Sequence, residues 1–353
     1  MANLDDLDVL RVDRAGMVHL LVDFPDHVQE GERLGQHADL SAGSEVRSIV
    51  VAGMGGSAVG GDLLRSYVSP ECRVPIGVNR HYTLPAFVGP ETLVCAVSYS
   101  GNTEETLSAF QEARARGAGL LAVTSGGQLA EMAEGARVPW VRVPAGMPPR
   151  ATLGYVFTPL LTILARLGLI PDQTEPIAET VGLLRELAAQ YRPGIEMFRN
   201  LPKGLATQLY ETFPAIYGVQ DISDVVAYRW RTQFNENSKV LASHHVFPEL
   251  THNEVVGWGA PLSLSQRVWA VVLRDTQEHD RIAQRIEITK TLLQEKAAGI
   301  TEVWSQGRSR LARLFSLLYT GDFTSYYLAL LYGVDPTPVQ AIDIVKERLA
   351  TTS

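Results

Sequence analysis

Ser98, Ser100 and Thr103 lie close together where the apolar run Thr92-Leu-Val-Cys-Ala-Val97 gives way to Ser98-Tyr-Ser-Gly-Asn-Thr-Glu-Glu-Thr106. An uncharged turn rich in hydroxyls suits the holding of an anion. Hydroxyls and backbone N–H groups can surround a phosphate, and a helix that starts just beyond adds the positive end of its dipole. The same residues also suit plain helix capping, with Asn102 and Glu105 in capping-box spacing. A second loop favours the anion. Ser48-Ile-Val-Val-Ala52 runs into Gly53-Met-Gly-Gly-Ser-Ala-Val-Gly-Gly-Asp62, where Gly53, Gly55 and Gly56 let backbone approach a ligand and Ser57 adds a hydroxyl at the next helix start. Gly53-x-Gly55-x-x-Ala58 also fits the loose dinucleotide pattern, which many glycine turns match by chance.

A different chemistry is offered further along. The apolar spacing of Val226, Trp230 and Phe234 reads as a helix over Asp221–Ala242 that meets the polar run Asn235-Glu-Asn-Ser-Lys239. The two aromatics suggest that the polar side faces something enclosed. Ser243–Trp258 then carries His244, His245, Glu249, His252 and Glu254. One carboxylate and one histidine beside a sugar are the minimum for moving a proton between adjacent carbons. Each has a plainer reading: Glu236 as a solvated helix residue, the histidines as surface groups. His252 and Glu254 are also potential metal ligands, but no H-E-x-x-H or cysteine pair accompanies them, and no metal is expected.

These residues need elements to position them. Strand patterns at Ile49–Ala52, Val74–Val78, Leu93–Val97, Gly119–Thr124 and Val138–Val143 alternate with helical ones such as Glu104–Arg116. Such alternation predicts an α/β fold, a mainly parallel sheet with helices on both faces, whose ligands sit at the carboxyl ends of strands. Both loops fall there. Gly154 to Arg192 reads as mainly helical, and strand patterns resume at Phe213–Val219, Val268–Arg274 and Thr301–Trp304. The expected division is a first domain over 1–165, a helical connection over 166–200 and a second α/β domain over 201–353.

Composition narrows the partners. The chain has 353 residues, 46% hydrophobic and 20% charged, with a net charge of -8. The acidic balance and lack of a basic block argue against nucleic acid or an anionic membrane, so an anionic ligand must be held locally. Two cysteines do not suggest a disulfide framework, no apolar run reaches membrane-spanning length, and Asp5, Asp6 and Asp8 follow Met1 where a signal peptide would be basic and apolar. A cytoplasmic location is expected.

Gly53-Met-Gly-Gly-Ser57, Ser98-Tyr-Ser-Gly-Asn-Thr-Glu-Glu105, Phe234-Asn-Glu-Asn237 and Pro248-Glu-Leu-Thr-His-Asn-Glu-Val-Val-Gly-Trp258 together resemble the bifunctional phosphoglucose/phosphomannose isomerases, two-domain members of the sugar isomerase (SIS) superfamily. The resemblance covers essentially the whole chain and implies two SIS-type doubly wound domains. It matches Gly55, Gly56, Ser57, Ser98, Ser100 and Thr103 to a phosphate cradle, and Glu236 to the base that carries a proton between C1 and C2. It matches His252 to a ring-opening residue contributed by the neighbouring subunit, Lys346 to a lysine sharing that step, and Arg150 to an arginine beside the enediolate. Thr337, in Asp335-Pro-Thr-Pro-Val339, falls near the sugar in the same comparison.

The expected activity is therefore aldose–ketose isomerisation of glucose 6-phosphate, fructose 6-phosphate and mannose 6-phosphate through a cis-enediol, by a homodimer with a shared site and no cofactor. Two alternatives remain. A non-catalytic SIS-type sugar-phosphate regulator needs the cradle alone. A dinucleotide-dependent dehydrogenase needs an acid at the end of the second strand, where Asn79-Arg80 stands instead.

Overall fold

A computed structural model describes residues 2–40 and 45–351. The chain forms two compact units. The first comprises Asp23–Arg185 with Gln306–Ser316; the second takes the described residues within Met1–Val22, Glu186–Ser305 and Leu317–Ser353. Both draw on segments remote in sequence, so they are not the contiguous blocks 1–165 and 201–353.

The first unit is built on a five-stranded sheet of β1 (Ser48–Ala52), β2 (Ile76–Asn79), β3 (Thr92–Val97), β4 (Gly119–Thr124) and β5 (Trp140–Arg142), in the order β2-β1-β3-β4-β5. Every pairing is parallel. β3 is buried along its whole length, as an apolar strand covered on both faces must be. On one side Val50, Ala52 and Val94 pack with Ala109 and Ala113; another cluster joins Ala96 and Ala122 to Phe110, Leu129 and Ala133. Helix Phe24–His37 lies against helix Leu153–Arg166 at backbone distance. A Cβ at Gly31 would stand 2.4 Å from the Gly154 carbonyl oxygen, so no larger residue fits without movement.

The second unit repeats the plan with β6 (Phe213–Val219), β7 (Ser243–Phe247), β8 (Val268–Arg274) and β9 (Gly299–Trp304), all parallel, in the order β7-β6-β8-β9. Tyr217, Val219, Phe247, Leu250, Trp258, Val272 and Ile286 form its core. A second layer comes from the later part of helix Arg310–Leu331, where Tyr319, Phe323, Tyr326 and Tyr327 are inaccessible. Gly321 makes room there: a Cβ on it would overlap the Trp230 indole, whose Nε1 donates to the Leu317 carbonyl at 2.9 Å.

Three local expectations are corrected. β7 was not read as a strand, because Ser243-His-His-Val-Phe247 lacks an apolar alternation and gains its place by pairing with β6. Val138–Val143 contracts to Trp140–Arg142. The helix read over Asp221–Ala242 is Asp224–Gln233 followed by a single π-helical turn, Phe234–Ser238, and it ends at Lys239, whose φ of +57° is left-handed.

Candidate active site

In a sheet of order 2-1-3-4-5 the connections after the first and third strands leave in opposite directions, and the gap between them is where ligands bind. In the first unit those connections are the Gly53 and Ser98 loops. They meet closely, since a Cβ on Gly53 would lie 2.9 Å from the Val97 carbonyl oxygen. Helix Gly55–Val68 opens at Gly55, where φ is +50° and the side facing a Cβ is empty. Gly56 is needed for the opposite reason. A Cβ there would stand 2.9 Å from the Pro149 carbonyl oxygen and 3.5 Å from the Arg150 Cα, so the bare helix start admits the turn Pro149–Ala151. That turn brings Arg150, 4% exposed, beside the cradle, and Ser57 is buried within it.

The hydroxyls divide. Ser98 is 1% exposed; its Oγ lies 2.8 Å from the Thr103 hydroxyl and accepts the Gly101 N–H at 3.1 Å. Ser98 thus shapes the loop from within. Ser100 is exposed, its Oγ accepting the Asn102 N–H at 3.3 Å. The capping box that the spacing of Asn102 and Glu105 would allow is not formed. Thr103 is the N-cap of helix Glu104–Ala115 and makes no side-chain cap bond, while Asn102 Oδ1 accepts from Gln128 N at 3.1 Å. Met54, the N-cap of helix Gly55–Val68, makes none either. Two helix starts at one switch point therefore keep first-turn N–H groups that no cap side chain takes up, which is the condition for anion binding.

In the second unit Glu236 sits at the centre of the π-helical turn, a departure from regular helix that is frequent at functional sites. Its neighbours are pinned inward. Asn237 Nδ2 donates to Ser325 Oγ at 2.9 Å and Ser238 Oγ donates to the Ser325 carbonyl at 2.6 Å. Trp230 and Phe234, fully buried and edge to face at 6.0 Å, serve the core rather than enclosing the polar run. Glu236 is left half-buried on the wall of a mainly apolar pocket of about 620 Å³, with Lys239, Asp335, Val339 and Ile342 among its lining. Thr337 is half-buried with its N–H on Asp335 Oδ1 at 3.0 Å; its neighbours line the pocket and it does not.

His252 and Lys346 lie elsewhere on this unit. His252 ends the 3₁₀ turn Glu249–His252 that follows β7, and it is exposed. Lys346 is exposed on helix Gln340–Thr351, whose first turn lines the pocket. Glu254, weighed above as a metal ligand, accepts a short hydrogen bond from the Tyr217 hydroxyl instead. Among the described residues no three His, Cys, Asp or Glu side chains are grouped to hold a metal.

The second sheet has a switch point of its own, between β6 and β8, and the strand end beside it is ionic rather than hydroxyl-rich. Arg274, 4% exposed, ends β8 with ion pairs to Glu278, Glu287 and Glu302, and its guanidinium lies 4.4 Å from the centre of the Trp304 ring. Asp275 beside it accepts from Ser305 Oγ at 3.0 Å. A site lined with that many carboxylates repels phosphate. Neither Arg274 nor Lys239 was singled out from sequence. Only the position of Arg274-Asp-Thr-Gln-Glu-His279 after a strand, matching that of Ser98–Thr103, could have signalled its role.

Two doubly wound parallel units, one with a hydroxyl and helix-start cradle, define a protein of the SIS class. The model of the bacterial phospho-glucose isomerase C-terminal SIS domain matches residues 198–349. A bifunctional phosphoglucose/phosphomannose isomerase of Caldicellulosiruptor bescii is 45% identical over 95% of this chain and 99% of its own length. One from Aquifex aeolicus is 36% identical over 86% of this chain and 90% of its own. Among solved structures, a glucose-6-phosphate isomerase like protein from Thermus thermophilus superposes with a TM-score of 0.64 at 22% identity, covering 96% of this chain and 99% of that one. The chain belongs to the bifunctional phosphoglucose/phosphomannose isomerase family.

Proposed function

We propose that the protein interconverts glucose 6-phosphate, mannose 6-phosphate and fructose 6-phosphate by moving one proton between C1 and C2. The observation that carries this reading is Glu236, held on an irregular turn at the wall of a pocket while its neighbours are tied into the core. Its carboxylate removes the proton beside the carbonyl, leaving a cis-enediolate, and returns it to the adjacent carbon. Glucose and mannose phosphates share that enediol, so one base serves both if the intermediate can present either face.

The uncapped helix starts with Gly55, Gly56, Ser57, Ser100 and Thr103 hold the phosphate, and Ser98 sets the loop. Arg150 supplies the fixed cation for the charge that develops on oxygen, an interaction stronger in the transition state than in the ground state. His252 and Lys346 open the pyranose ring. His252 acts from a neighbouring subunit: it is exposed, and Leu241 and Val256 of the same unit are 74% and 78% exposed, as side chains awaiting a partner would be. A cytoplasmic location fits this metabolic role. No helix among the described residues is long and apolar enough to cross a membrane.

The dehydrogenase alternative finds little support. Asn79 at the end of β2 uses its side chain on the His81 carbonyl at 2.8 Å, and Arg80 pairs with Asp62. The regulator alternative requires no base at all. Fructose 6-phosphate conversion, with separate detection of both aldose phosphates and beside Glu236→Gln, tests the proposal. Formation of both products, lost in a variant that still binds substrate, is the expected result; binding without either product hands the reading to the regulator.

A further inference from the structure

The π-helical turn that carries Glu236 does not hold itself. A regular helix would continue beyond Gln233, but here the Lys239 and Val240 N–H groups both return to the Phe234 carbonyl, the latter at 3.1 Å. The carbonyls of Glu236 and Asn237 are thereby left at a helix end with no following turn to satisfy them. Lys239 supplies that satisfaction with its side chain. Its Nζ donates to the Glu236 carbonyl at 2.7 Å and to the Asn237 carbonyl at 3.3 Å, and also to the Pro336 carbonyl at 3.1 Å.

The third contact makes the cap a bridge. Pro336 belongs to the segment between Val334 and Gln340, which supplies much of the lining of the pocket that Glu236 shares. One ammonium therefore ties the turn carrying the carboxylate to a second segment of the pocket's lining. Lysine is also an unusual choice for the backbone it occupies. At φ +57° glycine or asparagine would be less strained, and the three hydrogen bonds of the lysine side chain offset that cost.

We propose that Lys239 is a positioning residue for the proton transfer, fixing the Glu236 carboxylate and the width of its pocket through these three carbonyls. This rests on the reading of Glu236 as the base. A carboxylate displaced by about 1 Å can lose on the order of a hundredfold in rate while phosphate binding is untouched.

Lys239→Gly and Lys239→Met, with Lys239→Arg as the conservative control, test this beside Glu236→Gln. Lys239→Gly suits the left-handed backbone, so it keeps the fold where Lys239→Met retains the backbone strain and loses the cap. The expected result is a fall in kcat of about tenfold or more with KM for fructose 6-phosphate little changed, a smaller share of deuterium carried to C1 from glucose 6-phosphate labelled at C2, and partial recovery in Lys239→Arg. An unchanged kcat in folded Lys239→Gly overturns the proposal. So does a loss that tracks thermal stability alone and leaves the deuterium transfer as in the wild type. An active Glu236→Gln would instead remove the base assignment itself, a separate failure.

Discussion

The Tyr217 hydroxyl, on the inner face of β6, donates to the carboxylate of Glu254 and accepts from Trp258 Nε1 at 3.2 Å. Burial, reinforced by the Glu254 charge, pushes the Tyr217 hydroxyl well above the usual phenol range, so it remains a donor. Two residues upstream of Glu254 stands His252, and on its other side Thr251 Oγ1 accepts from Arg285 at 2.8 Å. The exposed imidazole is thus carried on a turn braced from both ends.

Tyr217→Phe removes one brace and leaves Glu254 without its donor. The expected cost is about 1–3 kcal/mol of unfolding free energy, read from urea denaturation. If His252 opens the ring, the variant loses more activity on pyranose substrate than on a short aldose phosphate that cannot form a pyranose. Equal loss on both would separate the turn from ring opening.

Gly56→Ala puts a methyl 2.9 Å from the Pro149 carbonyl oxygen. Helix start or Arg150 turn must shift, so binding of inorganic phosphate, followed by calorimetry, should weaken by about tenfold. Gly135→Ala, where nothing lies within 4 Å, is the control and should bind as the wild type does.

Arg229 and Asp322 form a buried pair at 3.0 and 2.8 Å, with Gln233 Nε2 also on Asp322 at 3.0 Å. Burial raises the Asp322 carboxyl, and Arg229 opposes that shift. Arg229→Leu strands a charge beside the turn that carries Glu236 and should cost about 3–5 kcal/mol. Adding Asp322→Leu should restore much of it, a non-additivity that thermal denaturation of the double variant would show.

His27 is 8% exposed and tilted against the Tyr155 ring at 4.9 Å. Burial lowers its pKa below 6.5 and outweighs the nearby Asp23 and Asp26. Below that ordinary value the unfolded chain takes up a proton that the folded chain refuses, so this contribution falls as pH drops from 6.5 through the folded value. His27→Leu should flatten the decline in urea midpoint between about pH 7.5 and pH 5, whereas an unchanged slope would place its origin elsewhere.

Where a residue's neighbours in sequence decided its place, reading was straightforward. Gly119–Thr124 is apolar enough to be nothing but a buried strand, and β6 and β8 were bounded as the structure has them. β7 escaped because its pairing partner, not its pattern, makes it a strand. Gly31 carries no local signal, because its requirement for glycine comes from Gly154, remote in sequence. The motif residues of the candidate site were legible as types, but their division of labour was not. Ser98 turned inward because Thr103 and Gly101 stood ready to bond it, and Trp230 turned inward because Gly321 left it space.

The second sheet repeats the strand plan of the first but not its loops. β6 and its following helix stand where β1 and its helix stand in the first sheet, yet the candidate residues lie at the beginning of the first helix and beyond the end of the second, at Glu236. Where β3 ends in hydroxyls, β8 ends in Arg274, bound to carboxylates of its own loop, of helix Asp280–Leu293 and of β9. Under the proposed function, the duplicated plan gives one molecule a grip and a tool rather than two grips, and a second phosphate loop grafted after β8 would have to displace the Arg274 ion pairs.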